Sequence, residues 1–315
     1  MKDLRIVFMG TPDFAVGCLK EVIENDLQVV GVVTTPDRPA GRGRQLRGSA
    51  VKEYALQQNL PILQPESLKD EAFLDSLRAL KADLFVVVAF RLLPKIVWSM
   101  PRLGTFNLHA SLLPKYRGAA PINWAIIEGE KESGVTTFLL DEKIDTGAIL
   151  LSEKVAITKT ETAGTLHDKL LGIGKKLVVT TIEKLANNEV KPEIQPNVEG
   201  ITYAPKLTSE NMRIDWSKKG KDIELHIRGL SPYPSAWTEL EEDGERKKVK
   251  IYFARFEEAI HTEKVGTITA SRKDMKVAVA DGYLDILEMQ LPGRRKMPIL
   301  DICNGYTFSE NARMC

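Results

Sequence analysis

Short apolar runs separated by amphipathic stretches dominate the first half of the chain. Ile6–Met9 reads as a strand, and Phe14, Ala15, Cys18, Leu19, Val22 and Ile23 then recur at helical spacing. Leu27–Val33 is the next apolar run. Ser49 is placed to cap a short helix carrying Val51, Tyr54 and Ala55, and Ser67 with Asp70 resembles a capping box ahead of Phe73, Leu74, Leu77 and Leu80. Leu84–Phe90 is apolar on both faces, as in a central parallel strand. Thr105–His109, Val135–Leu140 and Ala148–Ile157 are predicted strands; Ala120–Glu128 and about 165–185 are predicted helices. This alternation predicts an α/β, Rossmann-like doubly wound sheet.

The pattern changes near residue 190, where Lys191-Pro192, Gln195-Pro196 and Ala204-Pro205 interrupt the periodicity. Residues 1–189 are therefore expected to form one domain, 190–207 a linker and 208–315 a second domain. The second domain holds one predicted helix, about 218–230, and then mostly strands. Ser235–Leu240 and Arg246–Phe256 flank Asp243-Gly244; Val265–Ala270, Met275–Ala280 and Tyr283–Met289 follow, with Asp281-Gly282 as another hairpin turn. Several short strands with one helix suggest a small C-terminal OB-like β-barrel.

Composition narrows the class. With 315 residues, 43% apolar and 28% charged, the chain is globular and long enough for two domains. Its longest apolar run is far short of the roughly 20 residues that span a bilayer, so no membrane association is expected. A net charge of +1 excludes a globally basic nucleic-acid coat but leaves room for a local basic patch. Three scattered cysteines argue against a disulfide framework and fit a reducing cytoplasm; Cys18 reads as a core thiol. The four histidines are widely spaced, and no metal site is expected. Gly41-Arg42-Gly43 and Gly172-Ile173-Gly174-Lys175 lack the spacing of phosphate-binding loops.

The informative stretch is Thr105–Pro114. Strand alternation puts Phe106 and Leu108 on one face and Asn107 and His109 on the other, at the carboxyl end of an inner strand. Two readings stay open on alternation alone: a hydrogen-bonded core pair, or a pair lining the crevice where open α/β sheets bind ligands. Asp145, in Lys143-Ile144-Asp145-Thr146-Gly147, either caps its own turn or pairs with His109 across a cleft.

Asn107, His109, Ser111-Leu112-Leu113-Pro114, Tyr116-Arg117-Gly118-Ala119-Ala120-Pro121 and Asp145-Thr146-Gly147 together resemble the signature of the 10-formyltetrahydrofolate-dependent formyltransferases. Phe8–Ala15, Pro36–Gly43, Arg228–Pro232 and Gln290–Gly293 extend the likeness over both predicted domains. Ala110 stands where relatives often have Gly or Pro, and Ser235 where they often have Gly.

The resemblance implies formyl transfer from 10-formyltetrahydrofolate, without a metal, to the free α-amino group of initiator methionyl-tRNA. It implies that Asn107 and a protonated His109 stabilise the oxyanion, that Asp145 orients His109 and helps take the amine proton, and that Ser111, Leu112, Leu113 and Pro114 shape the folate cleft. A nucleotide-sugar amine, a purine precursor or water are alternative acceptors, and a degenerate RNA-binding protein is the non-enzymatic alternative. The glycine-rich loop with Arg38, Arg42, Arg44 and Arg47 is expected to contact tRNA phosphates. A second basic cluster, Arg246, Lys247, Lys248 and Lys250, is either another RNA contact or a solvated surface. His167, His226, His261 and the four tryptophans are read as structural. A monomer is expected.

Overall fold

Apolar runs of five residues bury completely where they fall in the middle of a sheet, as Ile6–Gly10 and Leu84–Val88 do here. The computed structural model describes residues 3–40, 45–196 and 200–315. Its elements begin with β1 (Ile6–Gly10), α1 (Asp13–Glu24), β2 (Val29–Val33), β3 (Arg38–Ala40), β4 (Gln45–Arg47), α2 (Ala50–Gln57), β5 (Ile62–Leu63) and α3 (Glu71–Ala79). Then come β6 (Leu84–Val88), α4 (Lys95–Trp98), β7 (Thr105–His109), β8 (Arg117–Gly118), α5 (Pro121–Ile127), β9 (Glu132–Leu139), β10 (Ile149–Ala156), α6 (Ala163–Ala186) and β11 (Tyr203–Ala204). The last are α7 (Gly220–Leu230), β12 (Ala236–Glu242), β13 (Glu245–Glu258), β14 (Ile268–Ala270), β15 (Met275–Val279), β16 (Gly282–Gln290), β17 (Met297–Pro298), α8 (Ile299–Gly305) and β18 (Arg313–Met314).

These elements form two units. One comprises Met1–Gly118, Ser133–Val155 and Asp168–Tyr203; the other comprises Ala119–Glu132, Ala156–His167 and Ala204–Cys315. The chain thus passes between units several times, and α6 contributes to both.

The first unit is built on a seven-stranded sheet in the order β10-β9-β7-β6-β1-β2-β5. The five strands from β5 to β7 pair in parallel, whereas β9 runs antiparallel to β7. Strand order reverses between β1 and β6, and in open α/β sheets ligands bind outside the carboxyl ends of the strands at such a point. On one face Val7, Met9, Phe85 and Val87 pack with Phe73, Leu74 and Leu77 of α3. The capping box expected at Ser67 is displaced: the side chain of Asp70 caps α3 by accepting from Phe73 N, and Ser67 Oγ accepts from Lys69 N. Ser49 caps α2 as its sequence suggests.

Close packing explains two glycines of the first unit. A Cβ on Gly17 would lie 2.8 Å from Leu171, and one on Gly174 would lie 3.0 Å from Leu108. Within the Gly172–Lys175 stretch, Gly174 is therefore explained by helix–sheet packing. Burial raises the Cys18 thiol far above its ordinary range.

The second unit is a nearly closed antiparallel barrel, β14-β15-β16-β13-β12-β18, with β17 beside β16. Met314 N donates to Gly266 O at 2.9 Å, which joins the last strand to the residues just before β14. Ile223, Ile227 and Leu230 of α7 enter its core with Leu240, Val249, Ile251, Leu284 and Ile286. Asp243 and Gly244 take φ values of 53° and 80°, so the β12–β13 turn forms where expected. The next hairpin differs by one residue. Its turn is Ala280-Asp281, because Gly282 already pairs with Val279 and Glu258. A Cβ on Gly282 would lie 2.1 Å from Glu257 O, so glycine there serves a strand crossing. Among the described residues no helix is long and apolar enough to cross a membrane.

Candidate active site

Alternation along β7 decides the site. Phe106 is fully buried, and Leu108 packs on Gly174 of α6. Asn107 and His109 take the other face. The His109 ring stands edge-on to Phe138, with centroids 6.4 Å apart. Its Nε2 lies 2.8 Å from Tyr116 O, and a carbonyl only accepts, so Nε2 donates. Its Nδ1 faces Asp145 Oδ2 at 3.8 Å. Both side chains are largely shielded, 8% exposed for His109 and 16% for Asp145. The ring thus spans a carbonyl on its Nε2 side and a carboxylate on its Nδ1 side. The half-buried Asn107 has no side-chain hydrogen bond among the described residues, so its amide is free to donate.

Asp145 does not cap its own turn; Asp141 does, accepting from Lys143 N and Thr146 Oγ1. Asp145 instead accepts from Gly118 N through Oδ2 at 2.9 Å. Three non-glycine residues around this point hold positive φ: Ala89 at 46°, Tyr116 at 60° and Asp145 at 55°. Ala89 directly follows the partner of Leu108 in the β6–β7 ladder, and Tyr116 carries the carbonyl on His109. Such left-handed residues persist where surrounding structure holds them, and they gather at functional sites.

One residue of this site carries no signal in the sequence. Gln195 falls in the stretch expected to be a linker, yet it is only 7% exposed. Glu193 makes an antiparallel bridge to Ile149 at the start of β10, which aligns Gln195 with the Asp145 turn. Its Nε2 donates to Asp145 O at 2.9 Å and to Gly147 O at 2.8 Å. Its Oε1 accepts from Arg117 Nη2 at 2.6 Å and Nε at 3.2 Å. No periodicity marks such a residue; prolines on both sides only disguise it as a connection.

The Ser111–Pro114 loop is braced from within. Ser111 is buried, and its hydroxyl donates to Lys115 O at 2.7 Å. Thr136 Oγ1 donates to Ser111 O and accepts from Leu113 N. Leu112 rests on Gly134, where a Cβ would lie 2.5 Å from it. Leu113 is buried and Pro114 half-buried, with a cis bond between them. Ser111 and Leu113 thus set the shape of the loop and offer little surface of their own.

The arginine segment forms a hairpin, not a plain loop. β3 and β4 pair antiparallel, with Arg38 directly opposite Arg47 and both exposed. Arg42 and Arg44 lie outside the described residues. At the root of the hairpin, Lys52 Nζ meets Asp37 at 2.6 Å and Gln64 Nε2 donates to Asp37 Oδ1 at 2.8 Å. These bonds hold the Asp37 carboxyl below its ordinary range. The nearby acid is thereby occupied, and among the described residues neither Arg38 nor Arg47 has an ion-pair partner. Two like charges directly opposite on a ladder repel.

The second basic cluster is largely matched. Arg246 meets Glu241 at 2.9 Å, Lys247 meets Glu245 at 3.5 Å, and Lys248 lies over the Trp237 ring at 3.8 Å. His226 and His261 are structural: burial pushes His226 below its ordinary range, and His261 Nε2 donates to Val279 O and Gly282 O. Trp216 is buried with its N–H on Thr238. Among the described residues no group of three His, Cys, Asp or Glu side chains could hold a metal ion.

A family profile described as "Formyl transferase" matches residues 4–182, and "Formyl transferase, C-terminal domain" matches residues 206–307. The chain is 52% identical to a curated methionyl-tRNA formyltransferase of Flavobacterium johnsoniae over 100% of both chains. It is 51% identical to that of Bacteroides thetaiotaomicron over 99% of both. Among solved structures, the sugar 3N-formyl transferase WlaRD matches with a TM-score of 0.65 at 22% identity, covering 93% of this chain and 99% of the other. HypX from Aquifex aeolicus in complex with tetrahydrofolic acid matches with a TM-score of 0.64 at 19% identity, over 97% of this chain and 48% of that one. These structural likenesses concern the fold alone.

Proposed function

The chain belongs to the formyl transferase family, and from that premise we propose that it transfers the formyl group of 10-formyltetrahydrofolate to the α-amino group of initiator methionyl-tRNA, giving N-formylmethionyl-tRNA for translation initiation. One observation carries the choice of acceptor: the 52% identity runs the full length of both chains. A folate pocket alone does not separate tRNA-directed from sugar-directed members, since the latter share the fold.

The residues present fit a formyl donor. The half-buried amide of Asn107, without a side-chain hydrogen bond among the described residues, lies two residues before the carboxyl end of β7, near the reversal in strand order where such sheets take their ligands. Bound 10-formyltetrahydrofolate supplies the reactive carbon and the N10 leaving group. Asn107 donates to the formyl oxygen as it gains charge, and one such donor is worth roughly 10²–10³ in rate. His109 redirects its Nε2–H from Tyr116 O to the same oxygen, since hydrogen bonds tighten in the reacting complex. Asp145 orients the ring from its Nδ1 side, and takes the proton released as the amine attacks. That proton passes on to N10 as its bond to the formyl carbon breaks. Ser111, Leu112, Leu113 and Pro114 hold the donor's cleft in shape.

Arg38 and Arg47, together with Arg42 and Arg44, contact tRNA phosphates in this proposal. The charges of Arg38 and Arg47, opposed on the ladder and without an ion-pair partner among the described residues, support that role. Residues 208–315, which lie within the second unit, serve in this proposal as the tRNA-binding domain. The proposed setting is a reducing cytoplasm, and the proposed working form is a monomer, which sedimentation of the purified protein checks. The deciding assay mixes enzyme, 10-formyltetrahydrofolate and charged initiator tRNA and measures formyl-methionine, with a nucleotide-sugar amine as a parallel acceptor. Formylation of the sugar amine alone overturns the reading.

A further inference from the structure

We propose that Gln195 is a positioning residue for the transfer reaction: its amide clamps the Asp145–Gly147 turn to Arg117 and so fixes where the Asp145 carboxylate meets His109. The proposal rests on the functional reading above and adds to it a residue outside the formyltransferase motifs.

The turn does not hold itself. Asp145 sits at a φ of 55°, a conformation that costs an aspartate free energy unless neighbours compensate. Gly147 approaches Leu139 so closely that a Cβ would lie 1.6 Å from its carbonyl oxygen. The local bonds from Asp141 reach Lys143 and Thr146 only. The carbonyls of Asp145 and Gly147 are both met by one group, the Gln195 amide, at 2.9 and 2.8 Å.

A carboxamide suits this place for a chemical reason. Its NH₂ end carries two donors and meets two carbonyls, while its oxygen meets the Arg117 guanidinium twice. Glutamate would turn a carboxylate oxygen toward two carbonyl oxygens. Methionine would leave the carbonyls unmatched. The next residue after Arg117, Gly118, donates its N–H to Asp145 Oδ2. One side chain therefore sets both the backbone that carries Asp145 and the segment that holds its carboxylate. At 3.8 Å the His109–Asp145 pair is sensitive to small displacements of that turn. Gln195 itself is bonded to neither His109 nor Asn107, so its effect passes through Asp145.

The test uses the full-length protein with Gln195→Met and Gln195→Glu. Both are expected to lower kcat about ten- to hundredfold, the range for partners that orient a reacting group. KM for folate and for tRNA is expected to stay within about twofold, because Gln195 acts through Asp145 and not on either substrate. A general structural role would not give the next result. In an Asp145→Asn background, Gln195→Met is expected to slow the reaction no further, as it does when two residues act in series. Backbone amide spectra supply a readout independent of activity: the Gly118 resonance is expected to shift in Gln195→Met, while those of the barrel stay in place. If Gln195→Met unfolds, Gln195→Glu, which keeps the length and the Arg117 partner, carries the same expectations. Parent-like kcat in a folded variant, or fully additive losses with Asp145→Asn, overturns the proposal. If the parent enzyme does not formylate methionyl-tRNA, the functional reading fails. The clamp then stands or falls on the Gly118 shift alone.

Discussion

At the scale of single residues, two substitutions separate chemistry from structure. His109→Ala is expected to cut kcat by roughly two to four orders of magnitude while tRNA affinity holds, following acid–base and oxyanion magnitudes. Steady-state kinetics beside a tRNA binding titration checks this. Asp145→Asn retains an acceptor for Gly118 N but loses the charge facing His109. The expected outcome is at least about a hundredfold loss of turnover with an unchanged circular dichroism spectrum. A different residue bears on stability: Ser235 is buried at a φ of 78°. Ser235→Gly should stay within about 1 kcal/mol of the parent, whereas the β-branched Ser235→Val should lose about 2 kcal/mol or more in urea unfolding. Period-two alternation made the Asn107–His109 face legible, because a strand leaves each side chain only two directions. Asp145's pairing with His109 was legible only through the family resemblance and its bond from Gly118 not at all, since these partners lie 36 and 27 positions away.

At the scale of elements, the β3–β4 hairpin concentrates unbalanced charge. Removing either Arg38 or Arg47 should flatten the plot of log affinity for tRNA against log salt by about 0.7–0.9 for each phosphate that is no longer neutralised. Thermal stability should not fall, because each change also removes a repulsion across the ladder. Titration at several salt concentrations with each alanine variant measures this, and an unchanged slope would leave the hairpin a solvated surface. Helices and central strands were legible from their periodicity, as at Thr105–His109 and α1. Their local chemistry was less so. Ser67 and Asp70 both suit a cap, and only the φ/ψ at Asp70 decides which of them does it. The glycines of the arginine segment suggested a loop, yet the short Arg38–Ala40 and Gln45–Arg47 stretches pair across it. The cluster on β13 illustrates a third limit: its glutamate neighbours are visible in sequence, but the pairing register is needed to see them neutralise it.

At the scale of the whole molecule, acid sensitivity has an identifiable source in the second unit. Burial holds the folded His226 below the ordinary imidazole value of 6.5, with Asp215 raising it and Lys218 lowering it further. The unfolded chain therefore takes up this proton first, and the stability contributed above about pH 6.5 is lost as pH falls. Melting between pH 7.5 and 5.5 should decline more steeply for the parent than for His226→Gln. The Asp37, Asp83 and Asp215 carboxyls, all held below their ordinary range, extend the same trend at lower pH. The interleaving of the two units bears on how such a chain can be recombined. A crossover at residue 190 would take Glu193 and Gln195 from one parent and the turn they secure from another. Grafting a different second unit onto this sheet therefore calls for a junction after Tyr203, where the incoming parent no longer supplies any residue to the Asp145 turn. Chimeras joined at 190 would retain their turnover only when both parents agree over those few intervening positions.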